Sequence, residues 1–242
     1  MSDLANGDTV DKFFVKHLSL DVEDAVMLHH RYYKEYGLAI EGLTRFHKID
    51  PLMFNREVDD ALPLDDILKP NMKLRTLLED FDKTKVKLWL LTNAYVTHGK
   101  RVVKLLGVDD LFEGITYCDY GAEKLVCKPD REMYLKAERE AGAASPEECY
   151  FVGKFCLHLE YAYSVRSMLC FNCVVGFFFG FLTSCSADDS HLNCRHAQAH
   201  NWTTIHFVEP TLPAPETRAS KYQIADLEEI RTLFPQFFKA TN

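Results

Sequence analysis

One apolar run with a polar tip decides the fold of this sequence: Val86-Lys-Leu-Trp-Leu-Leu-Thr-Asn93. The residues from Val86 to Leu91 predict a buried strand, since the run is short and rich in large apolar side chains. Before it, Asn71 can cap a helix through Phe81, and after it Val96 to Leu106 predict a helix that Gly107 closes. A strand between two helices is typical of a parallel sheet with helical crossovers.

The same alternation of strands and helices continues along the chain. Further strands are predicted at Gly114–Tyr117, Cys149–Val152 and Thr203–Val208, and helices at Pro129–Ala141, Leu192–His200 and Asp226–Phe234. Residues 11–70 have a helical pattern throughout. Within them, Val22 to Tyr36 follows the helical period, with Asp21 as the N-cap and Gly37 just past the end. We therefore predict an α/β fold with a parallel sheet over residues 71–242, preceded by helices.

Composition and charge exclude some classes of protein. The 242 residues are 47% hydrophobic and carry a net charge of −8, without any run rich in Lys and Arg. We therefore expect no nucleic-acid partner. Met1–Val10 lacks the basic start and apolar run of a secretory signal, so we expect a cytoplasmic protein (or a nuclear one) with eight cysteine thiols. Cys170 and Cys173 have the spacing of half a zinc site, but no second pair stands at a suitable distance.

Polar residues that suit phosphate chemistry follow the predicted strands. Thr92 and Asn93 end the first strand, where ligands of parallel sheets bind. Lys128 precedes a predicted helix and can offset phosphate charge. Asp188 and Asp189 are adjacent carboxylates that can hold Mg²⁺ with a substrate phosphate. Taken singly, they are also explained as a turn, a solvated lysine and a helix N-cap, but their shared order on an α/β pattern favours a site.

Several blocks together resemble one family. They are Tyr32-Tyr-Lys-Glu-Tyr-Gly-Leu38, Asp59-Asp-Ala-Leu-Pro-Leu64, Leu68-Lys-Pro70, Gly114-Ile-Thr-Tyr-Cys118 and Cys127-Lys-Pro129. In these blocks the sequence resembles the pyrimidine 5′-nucleotidase-like branch, known from fungi, of the haloacid dehalogenase-like hydrolase superfamily. The resemblance implies a Rossmann-like core with residues 11–70 as a helical cap inserted near the N-terminus. It also implies Mg²⁺-dependent removal of phosphate from a pyrimidine nucleoside 5′-monophosphate, a small-molecule partner.

The resemblance also assigns roles to residues. It implies that Thr92 and Asn93 hold the phosphate and that Lys128 neutralises it. Asp188 and Asp189 would serve Mg²⁺. Three aromatic residues of the cap are candidates to stack on a base, or else are plain core residues: Tyr32, Tyr36 and Phe46.

The sequence departs from the family at the nucleophile. Family members carry an Asp-x-Asp-x-Thr/Cys motif on the first strand, whose first Asp attacks phosphorus and whose second acts as general acid and base. Met1–Val10 is polar and has no such motif, while Asp21 and Asp24 belong to a helix start. We therefore expect the first core strand to be missing and the chain to be inactive. The alternative is a non-catalytic remnant or defective gene model that keeps only the outline of the fold.

The second departure is the segment Gly153–Ala187, whose length is 187 − 153 + 1 = 35 residues. Its removal joins Tyr150-Phe-Val152 to Asp188-Asp-Ser190. Codons for Gly153-Lys-Phe155 can contain the splice-donor string GTAAGT, and those for Leu182-Thr183 and Ala187-Asp188 can contain a branch point and a terminal CAG. We interpret the segment as a retained intron, with a genuine insertion or a membrane-associated stretch at Met168–Leu182 as alternatives. We expect it to loop out of the core, leaving the central strand position empty or filled by an opportunistic segment.

Overall fold

A sheet with helices on both faces follows a group of N-terminal helices. The structure is a computed structural model that describes residues 9–155, 170–174, 176–180, 187–208 and 217–240, with side chains described for 9–153, 191–208 and 217–240. The strands of these ranges are β1 Lys87–Thr92, β2 Gly114–Tyr117, β3 Cys149–Phe155, β4 Cys170–Val174, β5 Gly176–Gly180, β6 Thr203–Val208 and β7 Tyr222–Ile224.

The helices fall into an N-terminal group and a group that covers the sheet. The first comprises α1 Thr9–Leu18, α2 Val22–Tyr36, α3 Ala39–His47, α4 Pro51–Phe54, a π-helical turn Asn55–Asp59 and α5 Leu64–Ile67. The second comprises α6 Met72–Glu79, α7 Val96–Leu105, α8 Arg131–Ala141, α9 Ala187–Ala199 and α10 Glu229–Leu233. Short 3₁₀ turns occur at Asp109–Leu111, Pro146–Glu148 and Pro235–Phe237. We call residues 9–67 the helical unit.

The sheet confirms the predicted α/β architecture. Its strand order is β2-β1-β4-β5-β3-β6-β7, and β1–β2, β3–β6 and β6–β7 pair in parallel. The four strands predicted from sequence correspond to β1, β2, β3 and β6. The core is Rossmann-like, with strands linked by helical crossovers.

Alternation along the strands explains why both faces of the sheet are covered. In β1, Leu88 and Leu90 pack into a core formed with α6, α7 and α10, whereas Leu91 packs into a second core with α8 and α9. In β3, Val152 joins the first core and Phe151 the second. Successive side chains of a strand point to opposite faces, so two apolar layers are needed to bury these strands.

Helix ends follow the capping residues, and three predicted starts are wrong. α9 begins at Ala187 and not at Leu192, and α10 begins at Glu229 and not at Asp226. Asp21 caps α2 by accepting from the Asp24 amide at 2.9 Å, and Gly37 ends this helix in the left-handed conformation, as predicted. α8 was expected to begin at Pro129 but begins at Arg131. The reason is that the Asp130 side chain accepts from the Glu132 amide at 3.0 Å, which makes Asp130 the N-cap and leaves Pro129 outside the helix.

The segment 153–187 enters the sheet where it is described, so the expectation that it loops out is wrong. β3 continues through Gly153 to Phe155, beside β6. β4 pairs antiparallel with both β1 and β3, so it lies between them, and β5 pairs with β4. An opportunistic segment therefore fills the central position, the second of the two expected outcomes. Without a partner there, β1 and β3 would each expose a row of backbone hydrogen-bonding groups.

Two minor expectations also concern this segment. Cys170 and Cys173 lie on β4, and their side chains are outside the described part of the chain. No helix in the described ranges is long and apolar enough to cross a membrane. Within Met168–Leu182, the described residues Cys170–Val174 and Gly176–Gly180 form strands and not a helix.

Candidate functional site

The carboxyl end of β1 is held in place by its own polar residues. Thr92 and Asn93 are buried. The Thr92 hydroxyl accepts from the Ala94 amide at 3.0 Å, and the Thr92 carbonyl accepts from the Cys118 amide at 3.2 Å. The strand tip is therefore fixed both to the following turn and to the chain that leaves β2.

Asn93 positions Lys128. Its Oδ1 accepts from the Lys128 amide at 2.7 Å, and its Nδ2 donates to the Lys128 carbonyl at 2.9 Å. A side-chain amide offers one donor end and one acceptor end, which matches both groups of a single residue's backbone. In this closed arrangement Asn93 therefore acts on the backbone of Lys128, a role that sequence analysis did not foresee.

The Lys128 side chain is buried without an anionic partner among the described residues. It has no solvent exposure. Its Nζ lies 3.5 Å from the Leu91 carbonyl oxygen and 6.0 Å from the centre of the Phe151 ring. No carboxylate of residues 9–153, 191–208 or 217–240 forms an ion pair with it. A buried ammonium is costly unless a negative charge is near, so this position favours an anion.

The end of α2 closes over Lys128. Gly37 has φ +73°, and a Cβ added there would lie 2.7 Å from the Lys128 carbonyl oxygen and 2.8 Å from Pro129 Cδ. Only glycine permits both the left-handed backbone and this close approach. The helical unit and the sheet therefore meet backbone to backbone, directly at the lysine.

A second group of buried polar residues lies at the same junction. Asn55, Asp59 and His98 are each less than 5% exposed, and Asn55 Oδ1, Asp59 Oδ2 and His98 Nδ1 have no hydrogen-bond partner within the described part of the chain. Burial, with a smaller effect of Asp60, raises the pKa of Asp59 to about 8. Burial lowers the pKa of His98 to about 4. Both side chains are therefore neutral near neutral pH.

Sequence analysis did not single out these residues as site residues. Asp59 stands in one of the family-like blocks, but nothing marked it as buried. Asn55–Asp59 forms a π-helical turn, a structure often found at functional sites. A π-helical turn has no simple sequence pattern, and the burial of an ionisable residue can be recognised only in three dimensions. For both reasons the sequence did not reveal these residues.

The predicted magnesium ligands lie on the first turn of α9, which follows the inserted strands. The side chains of Asp188 and Asp189 are outside the described part of the chain. Among the residues whose side chains are described, no three His, Cys, Asp or Glu side chains are grouped to hold a metal ion. Two adjacent carboxylates suit Mg²⁺ by their chemistry, since this ion prefers oxygen ligands.

The three aromatic candidates of the helical unit lie together. Their ring centres are 6.1 Å apart for Tyr32 and Tyr36, 5.9 Å for Tyr32 and Phe46, and 6.0 Å for Tyr36 and Phe46. Tyr32 is buried and its hydroxyl bonds His47 Nε2 at 2.6 Å, which makes it part of the core. Phe46 is 58% exposed.

Comparison with known families identifies the class of protein. A family model described as haloacid dehalogenase-like hydrolase matches residues 8–153, more than half of the chain. The chain therefore belongs to the haloacid dehalogenase-like hydrolase family. Hydrolases of this family act on small phosphorylated substrates and generally use Mg²⁺.

Individual relatives are similar over parts of their length. The chain is 43% identical over 152 residues to Phosphate metabolism protein 8 of Saccharomyces cerevisiae, an alignment that covers 60% of this chain and 47% of the yeast protein. The chain thus spans about half the length of that relative. The solved structure of a HAD phosphatase from Thermococcus onnurineus matches with a TM-score of 0.45 and 16% identity, covering 93% of this chain and 86% of that chain.

Proposed function

We propose that this chain binds the phosphate group of a pyrimidine nucleoside 5′-monophosphate, the substrate of a Mg²⁺-dependent phosphomonoesterase. The observation that carries the proposal is the fully buried Lys128, which has no carboxylate partner among the described residues and lies beside the tip of β1. A phosphate at this position would supply the missing negative charge.

Each residue of the site would have a separate role in binding the phosphate. Lys128 offsets the charge of the phosphoryl group, and Asn93 fixes the lysine backbone through its two hydrogen bonds. Thr92 forms the strand tip against which the phosphate would rest. Asp188 and Asp189 would hold Mg²⁺, which supplies further charge neutralisation when bound.

Hydrolysis needs a nucleophile that these residues do not provide. The Asp-x-Asp-x-Thr spacing occurs in the 242-residue sequence only at Asp80-Phe-Asp-Lys-Thr84, which lies in the turn between α6 and the amino end of β1 and not at the carboxyl end of a strand. The central strand position of the sheet is filled by β4. We therefore propose that this chain binds its ligand without turning it over. Purified chain with Mg²⁺ and uridine 5′-monophosphate should release phosphate only at the background rate. Release that disappears in Lys128→Ala would contradict this part of the proposal.

Binding itself is tested by calorimetry with inorganic phosphate. Lys128→Met should abolish phosphate binding and raise the thermal midpoint of the free protein, because it removes an unpaired buried charge while keeping the length of the side chain. Lys124→Met is the matched control, since Lys124 is exposed on the same loop, and it should change neither quantity. Equal phosphate affinity of wild type and Lys128→Met would refute the proposed site.

A further inference from the structure

The junction between the helical unit and the sheet holds more unsatisfied polar groups than packing explains. Asn55 Oδ1, Asp59 Oδ2 and His98 Nδ1 are buried atoms without hydrogen-bond partners in the described part of the chain. Each such atom destabilises the fold, and native proteins have few of them. Three at one junction indicate groups kept for a ligand.

Contacts connect this cluster to the phosphate site. The Asp59 backbone forms a hydrogen bond with His98, at the start of the helix that follows Thr92 and Asn93. Tyr120 is buried near Asp59. Burial raises the pKa of the Tyr120 phenol, and the neighbouring Asp59 raises it further. The Tyr120 hydroxyl donates to the Asn93 carbonyl at 3.4 Å, and Asn93 in turn holds Lys128. The unsatisfied groups and the lysine are therefore linked by a chain of contacts through Tyr120 and Asn93.

The two ends of this chain of contacts lie on opposite sides of the junction. Asn55 and Asp59 belong to the helical unit, whereas Lys128 and Asn93 belong to the sheet, and all four are buried. A ligand held by its phosphate at Lys128 would therefore extend from the sheet side of the junction toward Asn55 and Asp59.

We propose that Asn55 and Asp59 form the subsite for the leaving group of the phosphate ester, and that they recognise the hydrogen-bonding edge of a pyrimidine base. This inference rests on the proposed function, because it assumes that Lys128 holds the phosphate. It adds the part of the protein that selects the nucleoside.

The chemistry of a neutral carboxyl group suits both pyrimidines. A protonated Asp side chain carries one O–H donor and one carbonyl acceptor. Uracil offers an N–H donor beside a carbonyl acceptor, and cytosine offers an amino donor beside a ring-nitrogen acceptor. Either base pairs with a carboxyl group, since the proton can sit on either oxygen. A neutral group also does not repel the phosphate, and the raised pKa of Asp59 keeps it neutral near neutral pH.

The test compares uridine 5′-monophosphate with inorganic phosphate on the same variants by calorimetry. Asp59→Leu should bind the nucleotide about tenfold more weakly, the effect of one or two lost hydrogen bonds, while phosphate affinity stays unchanged. It should also raise the thermal midpoint, because an apolar side chain replaces an unsatisfied buried one. Asp59→Asn, which keeps a donor and an acceptor, should recover most of the nucleotide affinity. Asp66→Asn changes an exposed carboxylate of the same unit and should have no effect.

The possible failures are distinct. Unchanged nucleotide affinity in Asp59→Leu, or an equal loss for nucleotide and phosphate, would overturn the subsite and leave the phosphate site standing. A lower thermal midpoint of Asp59→Leu would assign Asp59 a structural role and overturn it too. Absence of phosphate binding in the wild type would overturn the proposed function and the subsite with it.

Discussion

At the residue scale, three ionisable side chains of the junction are buried. Lys128 is enclosed within reach of a carbonyl oxygen and an aromatic ring. Asp59 is enclosed with only a like charge nearby, so its neutral form is favoured. His98 is likewise held neutral by burial. Burial of a polar or charged group without a partner is costly, so these residues lower the stability of the fold.

The free energy of unfolding should depend on pH through Asp59. In the unfolded chain its carboxyl ionises near 3.8, whereas in the folded protein the pKa is about 8. Between these values the unfolded state has lost a proton that the folded state keeps, so stability falls as pH rises from about 4 to about 8 and then levels off. Asp59→Asn should remove this fall, which urea unfolding at about pH 5 and pH 8 measures. The pKa assignment would be refuted by a difference in unfolding free energy between wild type and Asp59→Asn that is the same at both pH values.

Gly37 should tolerate a side chain less well than a second glycine of the same conformation. Gly142 also has a positive φ, of +76°, but an added Cβ there would meet nothing within 4 Å. Gly142→Ala should cost about 1–2 kcal/mol from left-handed strain alone. Gly37→Ala should cost about 1–3 kcal/mol more, because its Cβ overlaps the Lys128 carbonyl and Pro129. It should also weaken phosphate binding. Equal losses of stability in thermal unfolding would show that the contact with Lys128 is not tight.

At the element scale, sequence periodicity was sufficient to predict those helices and strands that follow a regular apolar pattern. The apolar run of β1 and the helical spacing of α2 identified both elements, and Asp21 and Gly37 marked the ends of α2. The start of α8 was wrong by two residues, since Pro129 and Asp130 both suit a helix start and only the hydrogen bond to Glu132 decides between them.

The inserted strands were not predictable from their own residues. β4 and β5 lie between β1 and β3, where each of these two strands has an edge that needs a pairing partner. That need arises from the rest of the sheet and not from the sequence of the segment. The periodicity of residues 153–187 therefore could not predict that the segment pairs with β1 and β3. The same limit applies to the site: the order of Thr92, Lys128 and the carboxylates was readable in the sequence, whereas Asn55 and His98 became candidates only through their burial.

The retained-intron hypothesis predicts the composition of the messenger RNA. Sequencing of full-length transcripts should find a dominant message without codons 153–187, because their removal joins Val152 to Asp188 in frame. The absent stretch would be 35 × 3 = 105 nucleotides. Messages of an unrelated, intron-free gene serve as the control for template switching. A uniform message that keeps the segment in RNA from several growth conditions would exclude the hypothesis and make 153–187 a genuine insertion.

At the scale of the whole molecule, the position of β4 determines whether a separate strand can enter the sheet. Because β4 already pairs with both β1 and β3, a separate peptide carrying an Asp-x-Asp strand would find no open edge at the centre of the sheet. Such a peptide would have to compete with residues of the same chain, whose tether gives them a high effective concentration. Complementation in trans is therefore expected to fail for this chain and to become feasible once residues 153–187 are deleted.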